Sequence, residues 1–219
     1  MAERVRVEGP HAAQPVYAAG AEPADAAAAM VLLHGRYSTA QNILTLMPEL
    51  DRTDLAFRAP QAAEGTWYPY PFLAPLEDNE PHLSSALGKI GEAIDELERS
   101  RIPAERIVLL GFSQGACLTC ELALRNPRRW GGIVALTGGF LGPLGEERRF
   151  EGSFDGTPVL LATSDPDPHV PVERVEETAE LFRGMGADVD LQVFPGMGHT
   201  VSRQEIDLVR RLLRRFGPA

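Results

Sequence analysis

Short, almost uninterrupted apolar runs recur along the chain, separated by longer stretches in which apolar positions return every three or four residues. The runs are MVLLH at 30–34, LAFRA at 55–59, IVLLG at 107–111, IVALT at 133–137, PVLLAT at 158–163 and VDLQVF at 189–194. Several lack polar alternation, which marks strands covered on both faces. Between them, Leu83, Leu87, Ile90, Ile94 and Leu97 predict one face of a helix. Ser202 with Glu205 three residues on predicts a capping box, followed by Ile206, Val209, Leu212, Leu213 and Phe216 as the inner face of a last helix. This rhythm predicts an α/β fold with a mostly parallel central sheet and helices on both faces. RVRVE at 4–8 alternates and predicts an edge strand with PVYAAG (15–20) as its neighbour, while AEPADAAAA (21–29) reads as a connection.

One segment breaks the rhythm. Residues 60–79, PQAAEGTWYPYPFLAPLEDN, hold four prolines, one glycine and four aromatics without a usable period. A connection of that length commonly serves binding. Its aromatics Trp67, Tyr68, Tyr70 and Phe72 are candidates for a substrate pocket, since aromatic rings supply an apolar wall and tyrosines a few hydroxyls. Trp130, in NPRRWGG, reads as packing at an element boundary. Neither a repeat nor a polar linker divides the chain, so one domain over 1–219 is expected.

Composition narrows the partners. At 219 residues the chain is long enough to fill one core, and 44% hydrophobic content is that of a globular protein. Thirty-one acidic against 21 basic residues give a net charge of -10, which repels nucleic acids and anionic membranes. No apolar stretch is long enough for stable membrane insertion, and MAERVRVEGPH lacks the apolar centre of a secretion signal, so a cytoplasmic location is expected. Cys117 and Cys120 form C-x-x-C inside an expected helix, with no second pair to complete a zinc site. They read as buried thiols, and no metal or cofactor is expected.

The candidate chemistry starts at GFSQG, 111–115. A G-x-S-x-G between a strand and a helix holds its serine on a sharp turn above the sheet. Ser113 is therefore the candidate nucleophile, and it needs a base and an acid behind the base. His199, in FPGMGHT between the last strand and the last helix, is placed to be that base. His34 reads as support for its loop, His11 and His82 as exposed or helix-packing residues, and His169 as a weaker base. SDPDPHVP (164–171) supplies two acids, Asp165 and Asp167, which position alone does not separate. The backbone N–H of Gln114 and that of Arg36, in HGR after an early strand, are the expected donors to a developing oxyanion.

With LLHG at 32–35, GFSQG at 111–115, DPHVP at 167–171 and GMGH at 196–199, the chain resembles the phospholipase/carboxylesterase family of α/β hydrolases. That family includes the acyl-protein thioesterases and is similar in fold to dienelactone hydrolases. The resemblance implies Ser113 as nucleophile, Asp167 rather than Asp165 as acid, His199 as base, and the Arg36 and Gln114 N–H groups as oxyanion donors. It also implies metal-independent hydrolysis of esters, sometimes thioesters or lysophospholipids. An apolar pocket with one candidate cation nearby suits a small or medium carboxylic ester, so a serine carboxylesterase is expected, with thioesters or lysophospholipids as the alternative substrates. A non-catalytic binding protein on the same fold is the other reading, and a homodimer is compatible with either. RYSTAQN at 36–42 departs from the glycine- and aspartate-containing loop of many relatives, and the Arg36 side chain becomes a candidate contact for an anionic substrate group. A serine in the elbow also departs from the cysteine nucleophile of dienelactone hydrolases.

Overall fold

The computed structural model describes residues 7–217. Within these residues seven strands form one sheet: β1 (Val16–Gly20), β2 (Ala28–Leu33), β3 (Leu55–Pro60), β4 (Ile107–Phe112), β5 (Gly132–Leu136), β6 (Pro158–Asp165) and β7 (Asp188–Pro195). Their order is β1-β3-β2-β4-β5-β6-β7. β1 runs antiparallel to β3, and every other neighbour is parallel.

The helices are α1 (Ala40–Leu44), α2 (Met47–Leu50), α3 (His82–Arg99), α4 (Gln114–Arg125), α5 (Val172–Gly184) and α6 (Arg203–Leu213). They cover both faces. Ala29, Val31 and Leu33 of β2 belong to the core that α3, α4 and α5 cover, whereas Ala28, Met30 and Leu32 of the same strand belong to the one that α1 and α6 cover. Adjacent residues of one strand thus enter different cores, which is why the central strands carry no polar alternation. This is the α/β-hydrolase fold. The capping box of α6 forms as the spacing predicts: Glu205 N–H donates to Ser202 Oγ at 3.2 Å and Ser202 N–H to Glu205 Oε2 at 2.7 Å.

Two expectations shift. Residues 4–6 of the expected first strand lie outside the described residues, Val7 and Glu8 carry no strand, and β1 takes the sheet edge beside β3. Ala28 and Ala29, expected in a connection, begin β2 and are fully buried, because alanine fits where helices approach a sheet closely. The RYSTAQN stretch runs into α1, capped by Thr39, whose hydroxyl accepts the Asn42 N–H.

On α4, the fully buried Glu121 organises the chain after β5. Its carboxylate takes Arg148 in two bonds of 2.6 and 2.8 Å, Arg125 at 2.6 Å and the Leu141 N–H at 3.2 Å. Burial opposes its ionisation, but the two guanidinium groups prevail and hold it below the ordinary carboxylate range.

Candidate active site

The parallel order brings the carboxyl ends of β2, β4, β6 and β7 to one edge, where such folds bind ligands. Ser113 leaves β4 with φ 55° and ψ -120°, left-handed backbone that costs a serine about 1–3 kcal/mol. Two glycines make the turn sterically feasible. A Cβ on Gly111 would sit 2.2 Å from the Gly115 carbonyl oxygen, and one on Gly115 would sit 2.2 Å from the Leu33 oxygen. The first lets α4 fold back over its own strand, and the second lets β2 pass beneath the helix start.

His199 reaches this serine across the edge: its Nε2 is 2.8 Å from Ser113 Oγ. Its Nδ1 is 2.9 Å from Asp167 Oδ2. With the proton on Nδ1, the ring donates to the carboxylate and leaves Nε2 to accept the serine proton. The Asp167 side chain is fully buried, and its other oxygen accepts the N–H groups of His169 at 2.8 Å and Val170 at 2.9 Å. Burial works against the Asp167 charge, yet those N–H groups and the His199 ring hold its carboxyl below the usual range. Asp165 ends β6 with an exposed side chain and does not touch the ring. His169 makes no bond to Ser113; its ring stands edge-on to His199 with centroids 4.8 Å apart.

The HGR loop abuts the elbow closely enough that a Cβ on Gly35 would lie 3.4 Å from Ser113 Cβ. Among the described residues, neither the Arg36 nor the Gln114 backbone N–H donates to a protein acceptor. Both are therefore available to an oxygen beside Ser113.

The side chains of these same two residues fasten the aromatic segment. Gln114 Oε1 accepts the Trp67 N–H at 2.9 Å, and its Nε2 donates to the Tyr68 carbonyl at 2.8 Å. The Arg36 guanidinium donates to the carbonyls of Tyr68, Pro69 and Tyr70 at 2.9–3.0 Å. Two buried histidines complete the fastening. His34 Nε2 accepts the Ala62 N–H at 3.1 Å while its Nδ1 donates to Gly35 O at 2.8 Å. His11 Nδ1 accepts the Ala63 N–H at 3.0 Å while its Nε2 donates to Trp67 O at 2.9 Å. Burial lowers the pKa of both rings, which keeps them neutral.

Several pocket expectations need correction. Trp67 is completely buried, stacked on His34 at 4.9 Å with its indole N–H on the His34 carbonyl, and does not line the cavity. Tyr70 is 55% exposed and also lies off the lining. Arg36 lines the mouth, but its bonds to three carbonyls make it a brace for the segment rather than a free anion receptor. Of the two expectations for His11, exposed or helix-packing, the structure shows the second: it is fully buried against α3, its backbone N–H donating to Ser85 Oγ at 3.0 Å. Tyr68 and Phe72 do line the cavity, which measures about 560 Å³ and opens over Ser113 and His199. Cys117, His169 and Val170 also line it, unanticipated from sequence as pocket walls. For Cys117 a signal existed: it follows Ser113 by four residues on a helix, one turn along the same face.

A profile described as Phospholipase/Carboxylesterase matches residues 17–216. The chain belongs to the phospholipase/carboxylesterase family. It is similar to the crystal structure of a phospholipase/carboxylesterase from Dyadobacter fermentans, 44% identical, with a TM-score of 0.89 over 94% of this chain and 99% of that one. It is also similar to the structure of esterase PE8, at 25% identity and a TM-score of 0.73, covering 93% and 99% of the two chains. An acyl-protein thioesterase 1 of Gibberella zeae is 36% identical over 132 residues, which is 56% of this chain and spans only about half, 53%, of that protein. Among the described residues of this family member, no helix is long and apolar enough to cross a membrane.

Proposed function

We propose that the protein is a serine carboxylesterase that cleaves a small or medium ester through an acyl-enzyme. The observation that carries this reading is the unbroken relay from Ser113 Oγ through His199 to Asp167, beside two unengaged backbone N–H groups. His199 takes the Ser113 proton as Oγ attacks the ester carbonyl, and Asp167 stabilises the imidazolium that results. The oxyanion is held by the N–H groups of Arg36 and Gln114. His199 then protonates the departing alcohol, and a water activated by the same ring releases the acid. The reaction as written consumes only ester and water.

Ser113→Ala tests it on a panel of p-nitrophenyl esters. The expected result is a loss of kcat/KM of at least about a thousandfold with unchanged circular dichroism and Tm. Turnover at the native rate in the variant would refute it. Similarity to proteins named acyl-protein thioesterases favours thioester cleavage as the second reading. It uses the same residues, so kcat/KM on matched esters and thioesters of one acyl group decides between them.

A further inference from the structure

The cavity over Ser113 is graded from a wet mouth to a dry end. Tyr37 at the mouth is 82% exposed, whereas Tyr68, Cys117 and Val170 are at most 3% exposed and Phe72 is 9%. On the ester-hydrolase reading, the departing oxygen has to lie within reach of His199 Nε2 to receive its proton. The acyl substituent is thereby directed away from that ring and into the apolar end. There Cys117 stands one turn beyond Ser113, about 6 Å along the axis of α4 at 1.5 Å per residue. The Tyr68 hydroxyl lies against the Cys117 thiol and makes no hydrogen bond of ordinary geometry. Burial pushes the thiol up to about 11, so it faces the cavity as a neutral, nonpolar-sized group and not as a thiolate. Cys120, on the same helix, is buried but does not line the cavity.

We infer that Cys117, backed by Tyr68, is the stop that sets acyl length, and that the favoured substrates are esters of short acyl chains of the butyryl-to-hexanoyl class. This rests on the ester-hydrolase reading above. The stop works by volume: the sulfur takes the place of the next methylene of a longer chain, no carboxylate lines the cavity, and the Arg36 guanidinium, 5.9 Å from the Tyr68 ring centroid, is occupied by three backbone carbonyls.

The test is the ratio of kcat/KM for p-nitrophenyl octanoate to that for the butyrate. Cys117→Ala is expected to raise this ratio about tenfold, the lower end of what one methylene in a fitted apolar pocket is worth. Cys117→Met is expected to lower it and to move the optimum toward acetate. Cys120→Ala, which alters the same helix away from the cavity, is expected to leave the ratio unchanged. Because Cys117→Met adds volume at a buried position, the alanine variant alone decides. A ratio unmoved in folded Cys117→Ala, or moved equally by Cys120→Ala, overturns the inference while leaving the esterase intact. Absence of any Ser113-dependent ester turnover in the native protein overturns the underlying reading instead.

Discussion

Removing the Arg36 side chain separates a brace from an anion receptor. The guanidinium makes three hydrogen bonds to consecutive carbonyls of the aromatic segment, two of them exposed and one part-buried. A hydrogen bond to a charged group is worth about 1.5–3 kcal/mol net when sheltered and less where water competes, so the set amounts to about 2–3 kcal/mol. That corresponds to at most a 30- to 150-fold change, at about 1.4 kcal/mol per decade, in the fraction of molecules holding the loop in its native pose. Gln114 and Asn79 still hold Trp67, Tyr68 and Tyr70, so part of the loss is absorbed. For Arg36→Ala we expect kcat/KM to fall about tenfold to thirtyfold, mostly through KM, because the backbone N–H of residue 36 survives the substitution. The fall should be equal for neutral and carboxylate-bearing esters of one size. Arg36→Lys should recover only part of it, since an ammonium cannot span three carbonyls as a planar fork does. Steady-state kinetics on the paired esters is the assay. A loss confined to the carboxylate-bearing ester, or no loss on either, would refute the reasoning.

Two further outcomes follow from buried polar groups. His11 and His34 each use one ring nitrogen to accept a backbone N–H, and burial depresses both pKa values below 6.5. Their contribution to stability is therefore complete above about pH 6.5, the unfolded-state value, and is lost as pH falls below it toward the depressed folded values, at a slope approaching about 1.4 kcal/mol per pH unit for each ring. Tm should decline between pH 7 and pH 5, and the decline should be shallower in His11→Gln/His34→Gln; an unaltered slope in the double variant would contradict this. Glu121→Ala strands Arg148 and the Leu141 N–H and should cost about 3–5 kcal/mol, as for one partner removed from a buried pair, seen as a Tm drop of about 6–20 °C in thermal melts. A change below about 1 kcal/mol would mean that water replaces the carboxylate at little cost.

The strands, the long α3 face, the α6 cap and the approach of Ser113, His199 and Asp167 were legible because each leaves a local or ordered trace: an apolar run, a period, a capping pair, a loop after a strand. The choice between Asp165 and Asp167 was not legible from position, since the two stand two residues apart where β6 ends, Asp165 as its last residue and Asp167 just beyond it. It depends on which carboxylate collects the N–H groups two and three residues ahead, and Asp167 does. The helices α1 and α2 were invisible for another reason: at five and four residues they are too short to display a period.

The aromatic segment was misread in a more instructive way. An irregular loop leaves its backbone N–H and carbonyl groups without a ladder, and each buried one requires a partner from elsewhere. Here the partners are side chains distant in sequence, His11, His34, Arg36 and Gln114, and no local pattern announces them. Trp67 serves that arrangement as filler between the two imidazoles rather than as a surface for substrate. Arg36 and Gln114 thereby act twice, each presenting a backbone N–H beside Ser113 and a side chain to the cavity wall. On the proposed function, wall and oxyanion donors are consequently one mechanical unit: a substitution that loosens residues 67–70 is expected to displace the two N–H groups as well, and so to reach the proposed chemistry without touching Ser113, His199 or Asp167.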